Sequence, residues 1–242
     1  MFEKILPPAR EVLKLLWYEK EEKCLLCGAK SVKAVCQICY QEYFRPSQKR
    51  CRNCGKLIGG PISYCRDCQK GKGPQDIVKV TALGFYHGHW KELIHGIKYR
   101  GQPYLLLALE EYITSWAIKE LPPPDIVVPV PLHPSRLACR GYNQAEVLAS
   151  ILSRSLGITL KDALLRLRDT KQQTSLGRLE RIHNLRGVFK LAPQVSVAGQ
   201  TIWLVDDVIT TGTTIGECAQ VLRRSGADEI YALCLGAGLE EN

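Results

Sequence analysis

Chemistry is concentrated in residues 201–217, TIWLVDDVITTGTTIGE. An apolar run, 201–205, ends in the acidic pair Asp206-Asp207. Val208-Ile209 then leads into Thr210-Thr211-Gly212-Thr213-Thr214, where a helical pattern begins. In an open α/β sheet, ligands sit at the carboxyl ends of the strands. A helix start offers free N–H groups and the positive end of a dipole, which favour a phosphate. Gly212 lets the backbone approach that phosphate closely, and the threonine hydroxyls add donors around it. Two adjacent carboxylates can accept hydrogen bonds from a ribose diol and help hold Mg²⁺. A plain strand–turn–helix would use one Asp as turn residue and one Thr as cap. It leaves unexplained two acids and four threonines around a glycine within nine residues.

A second concentration is cysteine. Eight of the eleven lie in four CxxC pairs: Cys24/Cys27, Cys36/Cys39, Cys51/Cys54 and Cys65/Cys68. Such pairs are metal knuckles, each able to place two thiolates about 2.3 Å from one Zn²⁺. Intervals of 8 and 10 residues each suit a single hairpin, with 11 residues between the two quartets. The spacing therefore favours sequential pairing over cross-bracing and predicts two structural Cys₄ zinc sites. Cys139, Cys218 and Cys234 are isolated and read as core or loop thiols.

The elements that must position these groups come from periodicity. Strand patterns cover 77–86, 125–130, 163–167, 187–191, 201–205 and 229–235. Helical patterns cover 90–99, 104–119, 142–156, 175–185 and 213–225. Strands alternating with helices of this length predict a parallel sheet covered on both faces. Gly71-Lys72-Gly73-Pro74 reads as a linker. The expected units are an amphipathic helix over 1–22, with Leu13, Leu16 and Trp17 on one side, a double zinc ribbon over 23–72, and an α/β domain over 76–242.

The chain has 242 residues, 45% hydrophobic and 24% charged, which excludes a mostly disordered protein. No run of about 18 apolar residues suggests a membrane span, and no secretory apolar segment opens the chain. The expected location is the cytosol. The net charge of +9 is uneven: +8 in 1–75, −1 in 76–135, +7 in 136–190 and −5 in 191–242. Counting thiolates and zinc brings the first figure down to about +4. The front lysines can be counter-charges for thiolates. They can equally form a nucleic-acid surface, because aromatics interleave with them: Tyr40, Tyr43, Phe44, Arg45, Lys49, Arg50, Arg52, Tyr64 and Arg66.

The 201–217 stretch resembles the PRPP-binding fingerprint of type I phosphoribosyltransferases. That resemblance implies a parallel core sheet with a smaller hood. It places Asp206 and Asp207, as the catalytic pair, on the ribose hydroxyls of 5-phosphoribosyl-1-pyrophosphate (PRPP). Thr210, Thr211, Gly212, Thr213 and Thr214 would cradle the 5-phosphate, and Mg²⁺ would accompany the ligand. Three further features are similar to the ComF family of competence proteins, of the ComFC type. They are PVPLHPSRLACRGYNQAEVLA (129–149), RLRDTKQQTSLGRLERIHNLRGVF (166–189) and LIHGIKYRG (93–101). The N-terminal cysteine module is similar too, so the resemblance spans nearly the whole chain.

Prolines fix a rigid loop after the 125–130 strand, and Arg136 and Arg140 follow it. Two guanidiniums at a sheet's carboxyl edge suit a pyrophosphate, though surface salt bridging would use the same residues. His133 could touch that ligand or be structural. Asn143 and Gln144 could be caps or bind a ligand's polar edge. Residues 168–186 suit either a flap closing over a ligand or a solvated basic helix.

Two functions of different class follow. One is a ComF-type DNA-uptake protein that binds PRPP or a related ribose phosphate and handles single-stranded DNA. Here the resemblance suggests a DNA-translocation helicase as partner and association with the inner face of the membrane. The other is an active phosphoribosyltransferase with a structural zinc module, although no acceptor pocket is identifiable. Position 2 is Phe2, which argues against the glutamine-driven chemistry of amidotransferases that use an N-terminal cysteine.

Overall fold

The computed structural model describes residues 23–44, 49–59, 61–169 and 187–238. The expected helices over 1–22 and 175–185 lie outside the described residues, as does Arg45. Its core is a five-stranded sheet in the order β3-β9-β8-β4-β5. These strands are β3 Lys79–Phe85, β4 Ile126–Pro129, β5 Thr159–Leu160, β8 Ile202–Ile209 and β9 Ile230–Ala237; the short pair β1 (Lys49–Arg50) and β2 (Leu57–Ile58) lies in the cysteine segment. All neighbours in it run parallel, as the alternation of strand and helix patterns predicts.

Burial on both faces explains the continuous apolar runs. Ile202 and Leu204 of β8 and Ile230 and Ala232 of β9 point to one face. There they meet Ile215, Ala219 and Leu222 of helix α5, Thr213–Arg224. Trp203, Val205, Leu233 and Leu235 point to the other face. That face is covered by α1 (Gly88–Tyr99), α2 (Glu110–Glu120) and α4 (Gln144–Leu156). Trp90 of α1 is fully buried, and its indole N–H donates to the Leu235 carbonyl at 3.0 Å.

Five local differences separate the structure from the sequence patterns. The 104–119 pattern splits into a 3₁₀ segment, Pro103–Leu109, and α2, whose first turn carries Glu110 and Glu111. Strand β8 continues past Val205 to Ile209, because β9 offers Gly236 and Ala237 as partners to Val208 and Ile209. The acid pair therefore sits inside the strand. The loop after β4 contains a short helix, α3 (Pro134–Arg140), started by His133 and Pro134. Helix α4 begins at Gln144, since Asn143 caps it with its side-chain oxygen on the Ala145 N–H. The 163–167 and 187–191 patterns pair with each other, outside the main sheet, as an antiparallel hairpin of β6 (Leu164–Arg166) and β7 (Phe189–Leu191).

The cysteine segment straddles the β3 edge of the sheet. Cys51, Cys54 and Cys65 belong to the core under α5, while Cys24 and Cys39 belong to the core on the opposite face. Between them runs edge strand β3, whose Ala82 carbonyl accepts a hydrogen bond from the Arg50 guanidinium. Tyr43 and Phe44 complete this joint at 2% and 8% exposure. Phe44 meets Trp90 edge-on at 4.9 Å between ring centres. Tyr43 accepts the His89 N–H at 3.2 Å. Among the described residues, no helix is long and apolar enough to cross a membrane.

Phe44→Ala is expected to destabilise the protein by about 3 kcal/mol, as core truncations of aromatics do. A solvent-facing aromatic would change stability by no more than about 0.5 kcal/mol. Urea unfolding of zinc-replete protein distinguishes the two.

Candidate functional site

At the carboxyl ends of β4 and β8 lies a cleft of about 510 Å³. Asp206, Asp207, Thr210 and Thr214 line one side of the chemistry, and Arg136 and Arg140 line it from α3. The fold thus gathers these six predicted residues around one cavity. Thr211, Gly212 and Thr213 form the turn behind it. The Thr211 and Thr213 hydroxyls lie 2.9 Å apart, and the Thr213 N–H donates to the Thr211 hydroxyl at 3.4 Å. Gly212 has φ +79°, a left-handed conformation that starts α5. A Cβ there would stand 2.9 Å from Cδ of Pro74, so both backbone and packing demand glycine.

Two cations that the motif reading left out also line the cleft: Lys98 from the last turn of α1 and Arg166 from β6. Lys98 Nζ is 2.9 Å from Asp207 Oδ1, with both side chains largely shielded. Burial works against the ammonium, but Asp207 and then Asp206 outweigh it and hold Lys98 above its ordinary value. Burial and the charge of Asp207 push the Asp206 carboxyl up to about 7. Asp206 Oδ1 accepts the Asp207 backbone N–H at 2.8 Å. Burial and the Arg136 charge pull the Arg166 guanidinium below its ordinary value.

The two arginines of α3 are held differently. Arg136 Nε donates to Asp169 Oδ1 at 2.9 Å, and Ser135 donates to Oδ2 of the same carboxylate. Arg140 stacks on Tyr99, 5.1 Å from the ring centre, and donates to Gln144 Oε1. His133 is structural in this arrangement, its Nδ1 accepting the Ser135 N–H. Asn143 is a cap whose amide also donates to the Val130 carbonyl. Gln144 is buried and lines the cleft.

The cysteines assemble as two sequential quartets, Cys24/Cys27/Cys36/Cys39 and Cys51/Cys54/Cys65/Cys68. Within each, the sulfur atoms lie within 4.8 Å of one another. Each quartet could hold a metal ion, and four thiolates are the donor set of a structural zinc site. Backbone N–H groups already point at the sulfurs, from Cys36 to Cys24 and from Cys65 to Cys51, both at 3.3 Å. Against the opposing effect of burial, such contacts bring the Cys24 thiol down to about 7. Cys139 is exposed on α3, and Cys218 and Cys234 are buried thiols of the sheet core.

The stacking residues expected at a nucleic-acid surface need correction. Tyr43 and Phe44 are core residues of the joint with β3, because their rings fill the space against α1. Arg50 is turned inward, hydrogen-bonded to Ala82 and lying over the Phe85 ring at 4.7 Å. Lys49, Arg52 and Tyr64 of the same set are exposed.

A family model described as "Phosphoribosyl transferase domain" matches residues 143–241. The chain is 31% identical to the "DNA utilization protein YhgH" of Salmonella typhi, covering 88% of this chain and 95% of that one. It is 34% identical to "Competence protein F" of Haemophilus influenzae over 74% of this chain and 81% of the relative. With "Competence protein ComFC" of Streptococcus pneumoniae it shares 29% identity over 88% of this chain and 99% of the relative.

The raised Asp206 has a consequence for stability. The folded protein keeps this proton to about pH 7, whereas the unfolded chain releases it near 3.8. Between those values the folded state binds more protons, so rising pH erodes stability through this group. Asp206→Asn removes the penalty. The variant should gain stability over wild type as pH rises from 4 towards 7 and level off above. Urea midpoints across that range measure it, and a gain independent of pH would contradict the assignment.

Proposed function

Because the chain belongs to the ComF family of competence and DNA-utilization proteins, we propose that it handles incoming single-stranded DNA and binds a phosphoribosyl ligand, PRPP or a related ribose phosphate, in the cleft of β4 and β8. One observation carries the ligand reading. An acid pair, a threonine-glycine turn at a helix start and four cationic side chains converge on one cavity at the strands' carboxyl ends. In this reading the start of α5, with Thr210 and Thr214, receives the 5-phosphate. Asp206 and Asp207 face the ribose hydroxyls. Arg136, Arg140 and Arg166 suit the diphosphate oxygens. Asp207 is engaged by Lys98, so the Mg²⁺ expected from the resemblance is not assigned to the acid pair.

Zinc in the two quartets would lock the 23–72 segment onto the edge of the 76–242 domain. DNA contact is assigned to the exposed basic residues Lys49 and Arg52, with Tyr64 beside them as a stacking surface. A cytosolic place near the inner face of the membrane, with a DNA-translocation helicase as partner, belongs to the same reading. The completeness of the loop supports a second reading, an active phosphoribosyltransferase. PRPP turnover measured with and without single-stranded DNA separates the two.

Elemental analysis should find two Zn²⁺ per chain, falling to one in Cys65→Ser, with a lowered unfolding midpoint because Cys65 lies in the sheet core. Zinc-free protein purified without chelators would contradict the assignment.

Calorimetry should detect PRPP binding that Thr210→Val, at the cleft lining, weakens by about 1 kcal/mol, the value of one hydroxyl hydrogen bond. Binding to single-stranded DNA should fall steeply with salt. Charge reversal at Lys49 and Arg52 should lower both affinity and the salt slope while PRPP binding persists. Absence of single-strand binding at low salt would remove the DNA part of the proposal.

A further inference from the structure

Lys98 has no role in the family reading of the cleft, yet it is ion-paired with Asp207 of the acid pair. It stands at the end of α1, and its Nζ lies 2.9 Å from Asp207 Oδ1. The side chains are 18% and 15% exposed, so water screens this pair weakly. Asp206 lines the same cleft, and its Oδ1 accepts the Asp207 N–H at 2.8 Å. Tyr86 and Tyr99 line the cleft beside the lysine.

Two neighbouring carboxylates repel a polyanionic ligand unless a positive charge stands between them. A divalent cation does this by coordinating a carboxylate oxygen at about 2.0–2.1 Å. On Asp207 Oδ1 such an ion would stand beside an ammonium already at hydrogen-bond distance. The two like charges would oppose each other in a poorly screened cleft. The donor set as folded therefore does not fit a divalent metal held by both carboxylates. An ammonium carries three N–H donors. One is committed to Asp207, and the others can reach ligand oxygens in the cleft that Lys98 lines.

We propose that Lys98 is the resident cation of the acid pair: it contacts the phosphoribosyl ligand directly and allows the cleft to bind it without a divalent metal. This rests on the phosphoribosyl reading above, and the experiment separates the two. PRPP is titrated calorimetrically into zinc-replete protein, in buffer stripped of divalent ions by a chelating resin and in the same buffer with Mg²⁺. No soluble chelator is added, so cysteine-bound zinc stays in place. Wild type should bind in both buffers with affinities within about threefold of each other. Lys98→Met should lose about tenfold or more in the stripped buffer, as removal of one partner of a shielded charge pair does. Mg²⁺ should restore most of that loss, because the metal then takes the vacated place on Asp207. Lys98→Arg should retain metal-free binding.

Wild-type binding seen only with Mg²⁺ would overturn the inference while leaving the phosphoribosyl reading intact. So would a Lys98→Met loss of equal size in both buffers, which marks a merely structural lysine. Wild-type protein that binds PRPP in neither buffer would overturn the phosphoribosyl reading itself. The wild-type comparison needs no variant, so the test stands even if Lys98→Met folds poorly.

Discussion

Strand β8 must be apolar on both faces and charged at one end. Its first four residues lie between two helix layers, Ile202 and Leu204 toward α5, Trp203 and Val205 toward α1 and α4. Parallel pairing with β4 and β9 then sends the carboxyl ends of all three strands to the same rim. The acid pair, the turn before α5 and the loop after β4 meet there because the sheet leaves them nowhere else to go. Continued pairing with Gly236 and Ala237 of β9 holds Asp206 and Asp207 in extended backbone, which fixes their separation before any ligand arrives.

What the sequence discloses of this site depends on distance along the chain. The threonine-glycine turn and the cysteine quartets are local patterns, and spacing alone identifies them. Lys98 and Arg166 reach the acid pair only through tertiary folding. LIHGIKYRG is recognisable as a family element without revealing that its lysine meets Asp207. The parallel sheet was legible because buried central strands lose their polar alternation. Two-residue β5 was not, being too short to carry a period. Tyr43 and Phe44 show the opposite failure. Aromatic residues between lysines and arginines look alike whether they face DNA or a neighbouring helix, and only the presence of Trp90 decides.

The two arginines of α3 divide the work of holding charge near the cleft. Arg136 is paired with Asp169 across half-exposed surface, an interaction worth about 1 kcal/mol or less. It can exchange that carboxylate for a ligand at little cost. Arg140 is braced by the Tyr99 ring and by Gln144, so its guanidinium is set in place beforehand. One arm is exchangeable and the other fixed, at the same edge of one short helix.

The straddled edge strand bears on how this protein can be dissected. Composition breaks cleanly at Gly73-Pro74, and a domain boundary drawn on composition would fall there. Mechanically there is no seam at that point. Pro74 packs on Gly212 of the turn before α5, Asn53 donates to the Pro74 carbonyl, and Arg50 satisfies the Ala82 carbonyl of β3. A fragment starting at residue 76 would surrender part of both hydrophobic layers and bare a strand edge open to pairing with other chains. The cysteine segment and the sheet share two hydrophobic layers, written in two compositional styles.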